Sequence, residues 1–164
     1  MNYNEWEKSV PDTFKNDPLW NMEVYRISLF LAEIGWIDVT KLMKDARTLT
    51  LSDQLYRSIG SISANIEEGY SRGSNKDRTR FYEYSLGSSR ESRGWYYKAR
   101  YILGDKVVNH RIGLLTSIIR LLLKVIQGER GYSVHEKSEF YLDVAEKDDQ
   151  TQLNRLLSEI PFPE

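Results

Sequence analysis

The chain has 164 residues, 40% of them hydrophobic and 29% charged, with a formal net charge of -1. That length suits one domain with a real core, and the absence of cysteine removes disulfides and thiolate metal sites and fits a reducing compartment. Residues 1–7 show no basic flank leading into an apolar run, and the greasiest stretch, residues 114–126, contains Arg120 and Lys124 and is too short for hydrocarbon, so a soluble cytoplasmic protein without a membrane contact is expected.

Residues 1–16 are polar and aperiodic and read as an arm. Asp17-Pro18 is a helix start, Asp as N-cap and Pro at the first helical position. A first long helix is predicted to run from there to about Lys44. Trp20, Val24, Ile27, Leu31 and Ile34 form one apolar stripe; Met22, Tyr25, Leu29, Trp36 and Met43 form a second on nearly the opposite side. A helix apolar on two sides is covered on two sides, and a partner subunit is the simplest second cover.

The second helix is mostly small. Leu55, Ile59, Ile62 and Ile66 fall on one face, Ser58, Ser61 and Asn65 flank it, and Gly69 is read as its stop. Ser74 or Asn75 then caps a third helix closed by Gly104. Its predicted core stripe is Phe81, Tyr84, Ser88, Ser92, Trp95, Ala99 and Ile102, with Leu86, Arg90, Arg93, Tyr97 and Tyr101 opposite. Gly87 and Gly94 lie together on another side, where the close approach of a further helix would offset their helix-weakening effect.

Asp105 is read as the cap of the fourth helix and Gly128 as its end. Val108, Ile112, Leu115, Ile119, Leu122 and Ile126 keep a heptad seam, and Val107, Leu114, Ile118, Leu121 and Val125 form a stripe beside it. Beyond it the chain is acidic, and Leu153, Leu156, Leu157 and Ile160 predict a short docked helix before Pro161. No strand pattern or repeat appears. The expected fold is all-α: an up-down antiparallel four-helix bundle over residues 17–128, with an N-terminal arm (1–16) and an acidic C-terminal extension (129–164).

Charge is divided along the chain. Residues 57–124 hold 13 Lys/Arg against 6 Asp/Glu, residues 1–56 hold 6 against 9, and residues 125–164 hold 4 against 9. Either the basic middle is a polyanion site, or the acidic ends fold over it in the same or a neighbouring subunit. Arg72, Lys76, Arg78, Arg80, Arg90, Arg93, Lys98 and Arg100 alternate with Tyr82, Tyr97 and Tyr101. Cations beside aromatics suit phosphate contacts with base stacking; a solvated helix face or a Tyr- and Arg-rich subunit interface is the competing reading.

The run Gln54-Leu55-Tyr56-Arg57-Ser58, then Ser61-Ile62, Asn65-Ile66, Glu68-Gly69, Phe81, Gly87-Ser88 and Glu91, resembles the bacterial four-helix-bundle proteins encoded in intervening sequences of 23S ribosomal RNA genes. The resemblance covers roughly residues 19–128. It implies an up-down bundle assembled into a ring-like homopentamer. A related branch, the accessory protein of diversity-generating retroelements, binds nucleic acid and a reverse transcriptase through a basic surface. Within the motif, Asn65 and Glu68 are expected to be structural, Asn65 fixing register against a neighbouring helix or subunit, and Glu91 is expected to pair with an Arg of another helix.

No enzyme signature is convincing, and no cofactor or metal is expected. A di-iron bundle needs Glu-x-x-His pairs, and His110 and His135 belong to none; no phosphate-binding loop or nucleophile elbow occurs. Arg130 and His135 fit the loose Arg-x4-His pattern of HEPN-type ribonucleases, but follow the helix-ending Gly128 and enclose Gly131. The reading is therefore a non-enzymatic homo-oligomer, most simply a pentamer, built through the second stripes of the first and fourth helices and the glycine side of the third. It would bind RNA or DNA, with a protein partner as a further candidate. An oligomer without nucleic acid is the alternative, and the ribonuclease a remote one.

Overall fold

The computed structural model describes residues 2–130 and 146–164, and every regular element among them is helical. In chain order these are α1 (Tyr3–Ser9), α2 (Asp12–Lys15), a 3-10 turn (Pro18–Asn21), α3 (Glu23–Leu42), a second 3-10 turn (Ala46–Thr48), α4 (Leu49–Tyr70), α5 (Asn75–Lys98), α6 (Arg100–Leu103), α7 (Asp105–Arg130) and α8 (Glu146–Ser158). The four long helices, α3, α4, α5 and α7, run antiparallel in succession. Tyr25 meets Glu67 and Trp36 meets Tyr56 across α3 and α4; Ser85 meets Ile62 and Ser92 meets Ser58 across α4 and α5; Arg78 reaches Glu129 across α5 and α7.

The apolar edge of α4 lies where its spacing puts it: Leu55, Ile59, Ile62 and Ile66 are all 0% exposed. The opposing face of α5 is Tyr82, Ser85, Leu86, Ser89, Ser92 and Tyr96, all buried. This corrects the predicted α5 stripe by about one residue. Tyr84 is exposed and Phe81, Ser88 and Trp95 are half-buried, whereas Leu86 and Tyr82 turn inward. Of the predicted stripe, Ser92 and Ala99 are buried as expected. In the structure the small serines take the seam because α4 and α5 come close, and each hydroxyl finds a backbone or serine partner: Ser85 Oγ donates to Ile62 O at 2.8 Å and Ser92 Oγ lies 2.9 Å from Ser58 Oγ.

Gly69 does not stop α4, which continues through Tyr70. It is a contact point instead. A Cβ there would lie 2.9 Å from Tyr82 Cε1 and 3.0 Å from Phe81 Cβ, so only a residue without a side chain lets α5 approach. Gly69→Ala is expected to cost about 1–3 kcal/mol in a denaturation experiment, and an unchanged midpoint would show that the α4–α5 spacing does not depend on this glycine. Gly104 does close its helix, with φ +80. Gly128 does not: α7 runs on to Arg130. Asp105 is the first residue of α7 rather than its cap. Ser74 Oγ, by contrast, caps α5 as expected, accepting from Asp77 N at 3.1 Å.

The N-terminal residues form structure that aperiodicity hid. Asn2 and Glu5 make a reciprocal capping box that starts α1. Trp6 is buried against Phe30, ring centroids 5.3 Å apart, and near Trp20. Asp17 and Pro18 start a 3-10 turn, and α3 itself begins one step later at Glu23. Of the second stripe of α3, Tyr25 is covered by this chain, while Trp36 and Met43 are each 61% exposed. The corresponding stripe of α7 is not free for a subunit: Val107, Leu114 and Ile118 are buried within the chain.

The predicted C-terminal helix is present as α8. Leu153 is buried, and Leu156 packs on α7 at Gly113, where a Cβ would meet its methyls at 3.2 Å. Asp149 pairs with Arg120. Beneath the end of this segment lies a buried polar knot. Asp38 of α3 and Arg111 of α7 are both 0% exposed; Arg111 Nε donates to Asp38 Oδ2 at 2.8 Å and Nη2 to Oδ1 at 3.1 Å. Tyr96 of α5 donates to the same Oδ2 at 2.8 Å, and Arg111 Nη2 also reaches Pro161 O at 2.9 Å. Its Nη1 donates to His110 Nδ1 at 2.8 Å, which leaves His110 Nε2–H to donate to Leu156 O at 2.7 Å. Three bundle helices and the C-terminal segment thus share one hydrogen-bonded cluster.

Burial, with the Arg111 charge, pushes His110 down to about 4 from an ordinary 6.5. The unfolded chain therefore binds a proton that the folded chain refuses between those values. This contribution to stability is full above about pH 6.5 and shrinks as pH falls toward 4, by at most about 3 kcal/mol. A pH series of melts on wild type and His110→Gln should show a steeper acid-side fall in wild type; parallel curves would remove His110 as a cause.

Candidate nucleic-acid interface

The outward side of α5 and α6 carries four of the eight predicted cations, Lys76, Arg80, Lys98 and Arg100. At 3.6 residues per turn, Lys76, Arg80, Gly87, Gly94 and Lys98 fall within about 40° of one another around the helix, and each is exposed. Among the described residues, neither glycine would place a Cβ within 4 Å of anything. The predicted glycine side therefore carries three of the eight predicted cations, Lys76, Arg80 and Lys98, and Arg100 follows in α6.

Arg80, Lys98 and Arg100 each have an aromatic partner, and Asp77 stands near Arg80. Arg80 Nε donates to Tyr84 OH at 2.7 Å, with its guanidinium 5.6 Å from the ring centre. Lys98 Nζ stands 4.0 Å from the centre of the Trp95 ring. Arg100 is held between two tyrosines, 4.2 Å from the Tyr97 ring and 4.3 Å from the Tyr101 ring, and donates to Tyr101 OH at 2.7 Å. These rings face solvent: Tyr97 is 58% and Tyr101 81% exposed. Such pairs add modest stability at an exposed site and leave the positive charge uncompensated.

The remaining predicted cations are differently placed. Arg72 pairs with Glu68 and lies over Phe81. Arg78 is committed to Glu129, Arg72 O and Asn75. Arg90 and Arg93 are half-buried along the flank of α5. Tyr82, grouped with the surface aromatics in the sequence, is 2% exposed and leaves the candidate surface. Tyr84, assigned to the core, joins it. Only the burial pattern of α5 separates the two, because both sit at helical spacing from the cations.

The motif residues make local contacts. Arg57 lies 4.0 Å from Asp53, Ser61 Oγ donates to Arg57 O at 2.8 Å, and Asn65 Nδ2 donates to Ser61 O at 2.7 Å. Within this chain Asn65 thus bonds its own helix rather than a neighbouring one. Glu91 accepts from Trp95 Nε1 at 3.1 Å, again within its own helix and not from an Arg elsewhere. Ser88 Oγ donates to Tyr84 O at 3.0 Å. Arg130 pairs with Glu83, and His135 lies outside the described residues.

A family model described as 23S rRNA-intervening sequence protein matches residues 21–124. The chain belongs to this family. In this intervening-sequence protein the matched span takes in α3 to α6 and most of α7, and with them the whole cation–aromatic face; α1, α2 and α8 lie outside it. No curated protein and no solved structure matches the chain. Among the described residues, no helix is long and apolar enough to cross a membrane.

Proposed function

We propose that this intervening-sequence protein is a non-enzymatic, homo-oligomeric module that binds RNA or DNA through the outer face of α5 and α6. The observation that carries the reading is the partnering of Lys98, Arg80 and Arg100 with aromatic rings, with no carboxylate bonded to them among the described residues. A cation left uncompensated on a rigid helix suits a phosphate, whose release of counterions drives association. Self-association is assigned to the α3–α4 side. There Trp36 and Met43 are 61% and Leu49 is 49% exposed, with Trp36 against Tyr56 at 5.6 Å. Large apolar side chains grouped at one surface favour burial on another copy, and a ring of five is the assembly adopted. This division puts the ligand and the subunit contact on different sides of the bundle.

A second reading, an oligomer that contacts only protein, is favoured by the same α3–α4 patch, which owes nothing to the cations. Binding of a labelled oligonucleotide across a salt series separates the two. Wild type should bind at low salt, and Arg80→Glu with Lys98→Glu should weaken binding and lower the slope of log affinity against log salt by about 0.7–0.9 for each phosphate that is no longer neutralised. A wild-type protein that binds no nucleic acid at low salt would leave the protein-contact reading.

A further inference from the structure

We infer that the α5–α6 face takes single-stranded nucleic acid, with Tyr97 and Tyr101 as stacking platforms for unpaired bases; this rests on the nucleic-acid reading above and narrows it. The first argument is exposure. Tyr101 is 81% and Tyr97 58% exposed, and neither ring packs into the core of the bundle. A ring left in water gains on being covered by another flat apolar surface, and every base has such a face. In a duplex those faces are already stacked on one another, so a duplex offers these rings nothing except its ends.

The second argument is preorganisation. Arg100 fills the space between the two tyrosines, within reach of both rings, and its Nη1 donates to Tyr97 O at 2.8 Å. The arginine fixes the rings and at the same time places a positive charge between them. A strand stacking on either ring brings its phosphate toward that charge. The same pairing recurs at Arg80 and Tyr84, several turns back along α5, and Lys98 sits beside Trp95.

The third argument is the space between. Gly87 and Gly94 are exposed and lie along α5 between the level of Arg80 and Tyr84 and that of Tyr97 and Arg100. At these two positions a strand meets no side chain of the helix itself. Of the carboxylates beside this face, Glu83 pairs with Arg130 and Glu91 accepts from Trp95 Nε1, while Asp77 stands near Arg80. Bases stacked at the two ends, with the backbone crossing the glycines, fit a flexible strand better than a rigid duplex.

Fluorescence anisotropy with a labelled mixed-sequence RNA strand and with its blunt duplex tests this on the full chain. Wild type should prefer the single strand. Tyr97→Ala with Tyr101→Ala should weaken single-strand binding about tenfold or more and leave duplex binding unchanged. Tyr97→Phe with Tyr101→Phe should retain most of the affinity, because the ring and not the hydroxyl does the stacking. Equal loss on strand and duplex, or no loss while Arg80→Glu with Lys98→Glu still weakens binding, would overturn the stacking inference and leave the nucleic-acid reading standing. Binding of neither ligand by wild type would overturn both. Both tyrosines are exposed, so the variants should melt like wild type.

Discussion

Asp38→Ala is expected to destabilise the fold by about 3–5 kcal/mol, because it leaves Arg111 charged, buried and without its carboxylate. Both side chains are 0% exposed, so the charge left behind is shut off from bulk solvent. Tyr96 loses its acceptor in the same step. At about 2–4 °C per kcal/mol for a chain of this size, the melt should move by roughly 6–20 °C. Replacing Asp38 and Arg111 together by apolar residues of similar volume should recover much of this, since the penalty of an isolated charge is gone. Asp53→Ala is the control. Its partner Arg57 is 4.0 Å away and both groups are largely exposed, so the change should stay within about 0.5 kcal/mol. A shift for Asp38→Ala no larger than this control would mean that the buried pair does not hold the helices together.

The second large effect concerns the C-terminal segment. A chain ending at Arg130 loses Leu153 from the core, Leu156 from its seat on Gly113, and the carbonyls of Leu156 and Pro161 that complete the bonding of His110 and Arg111. Two leucines at about 1.5–3 kcal/mol each set the scale, so a loss of about 3–5 kcal/mol is expected. The truncated chain should also lose much of the acid-side pH dependence assigned to His110, whose Nε2 would then open to water. Chemical denaturation at two pH values checks both points. A truncation that melts with the full chain would show the segment to be an appendage, whatever it touches.

Much of the bundle is legible in the sequence because its helices obey the simplest rule available, a single apolar face at helical spacing. The α4 edge, the α7 seam and the short α8 are of that kind. The buried knot leaves a fainter mark. The second α7 stripe, Val107, Leu114, Ile118, Leu121 and Val125, skips the position that Arg111 fills, and Asp38 continues the core stripe of α3 four residues after Ile34. A charge at a core position on one helix and an opposite charge at a core position on another is a pairing signal. It is invisible while each helix is read separately. The α5 register is obscured for another reason: serines and aromatics stand at helical spacing on adjacent stripes, so periodicity does not choose between them. In α1 the Asn2-x-x-Glu5 spacing before Trp6 is a capping signal masked by polar composition. Gly128 misleads because a glycine near a helix end need not be its end. For the candidate interface, the cations are plain in the sequence, and the structure separates Arg72 and Arg78, which pair with carboxylates, from Arg80, Lys98 and Arg100, whose partners are aromatic residues.

Native mass by light scattering on a sizing column, with absorbance at 260 and 280 nm, tests the assembly and binding reading most directly. The account predicts a particle of about five times the 19.3 kDa chain, carrying excess 260 nm absorbance that high salt removes. A monomer free of nucleic acid at low salt would contradict it, because neither the exposed α3–α4 patch nor the cation–aromatic face would then have the occupant assigned to it.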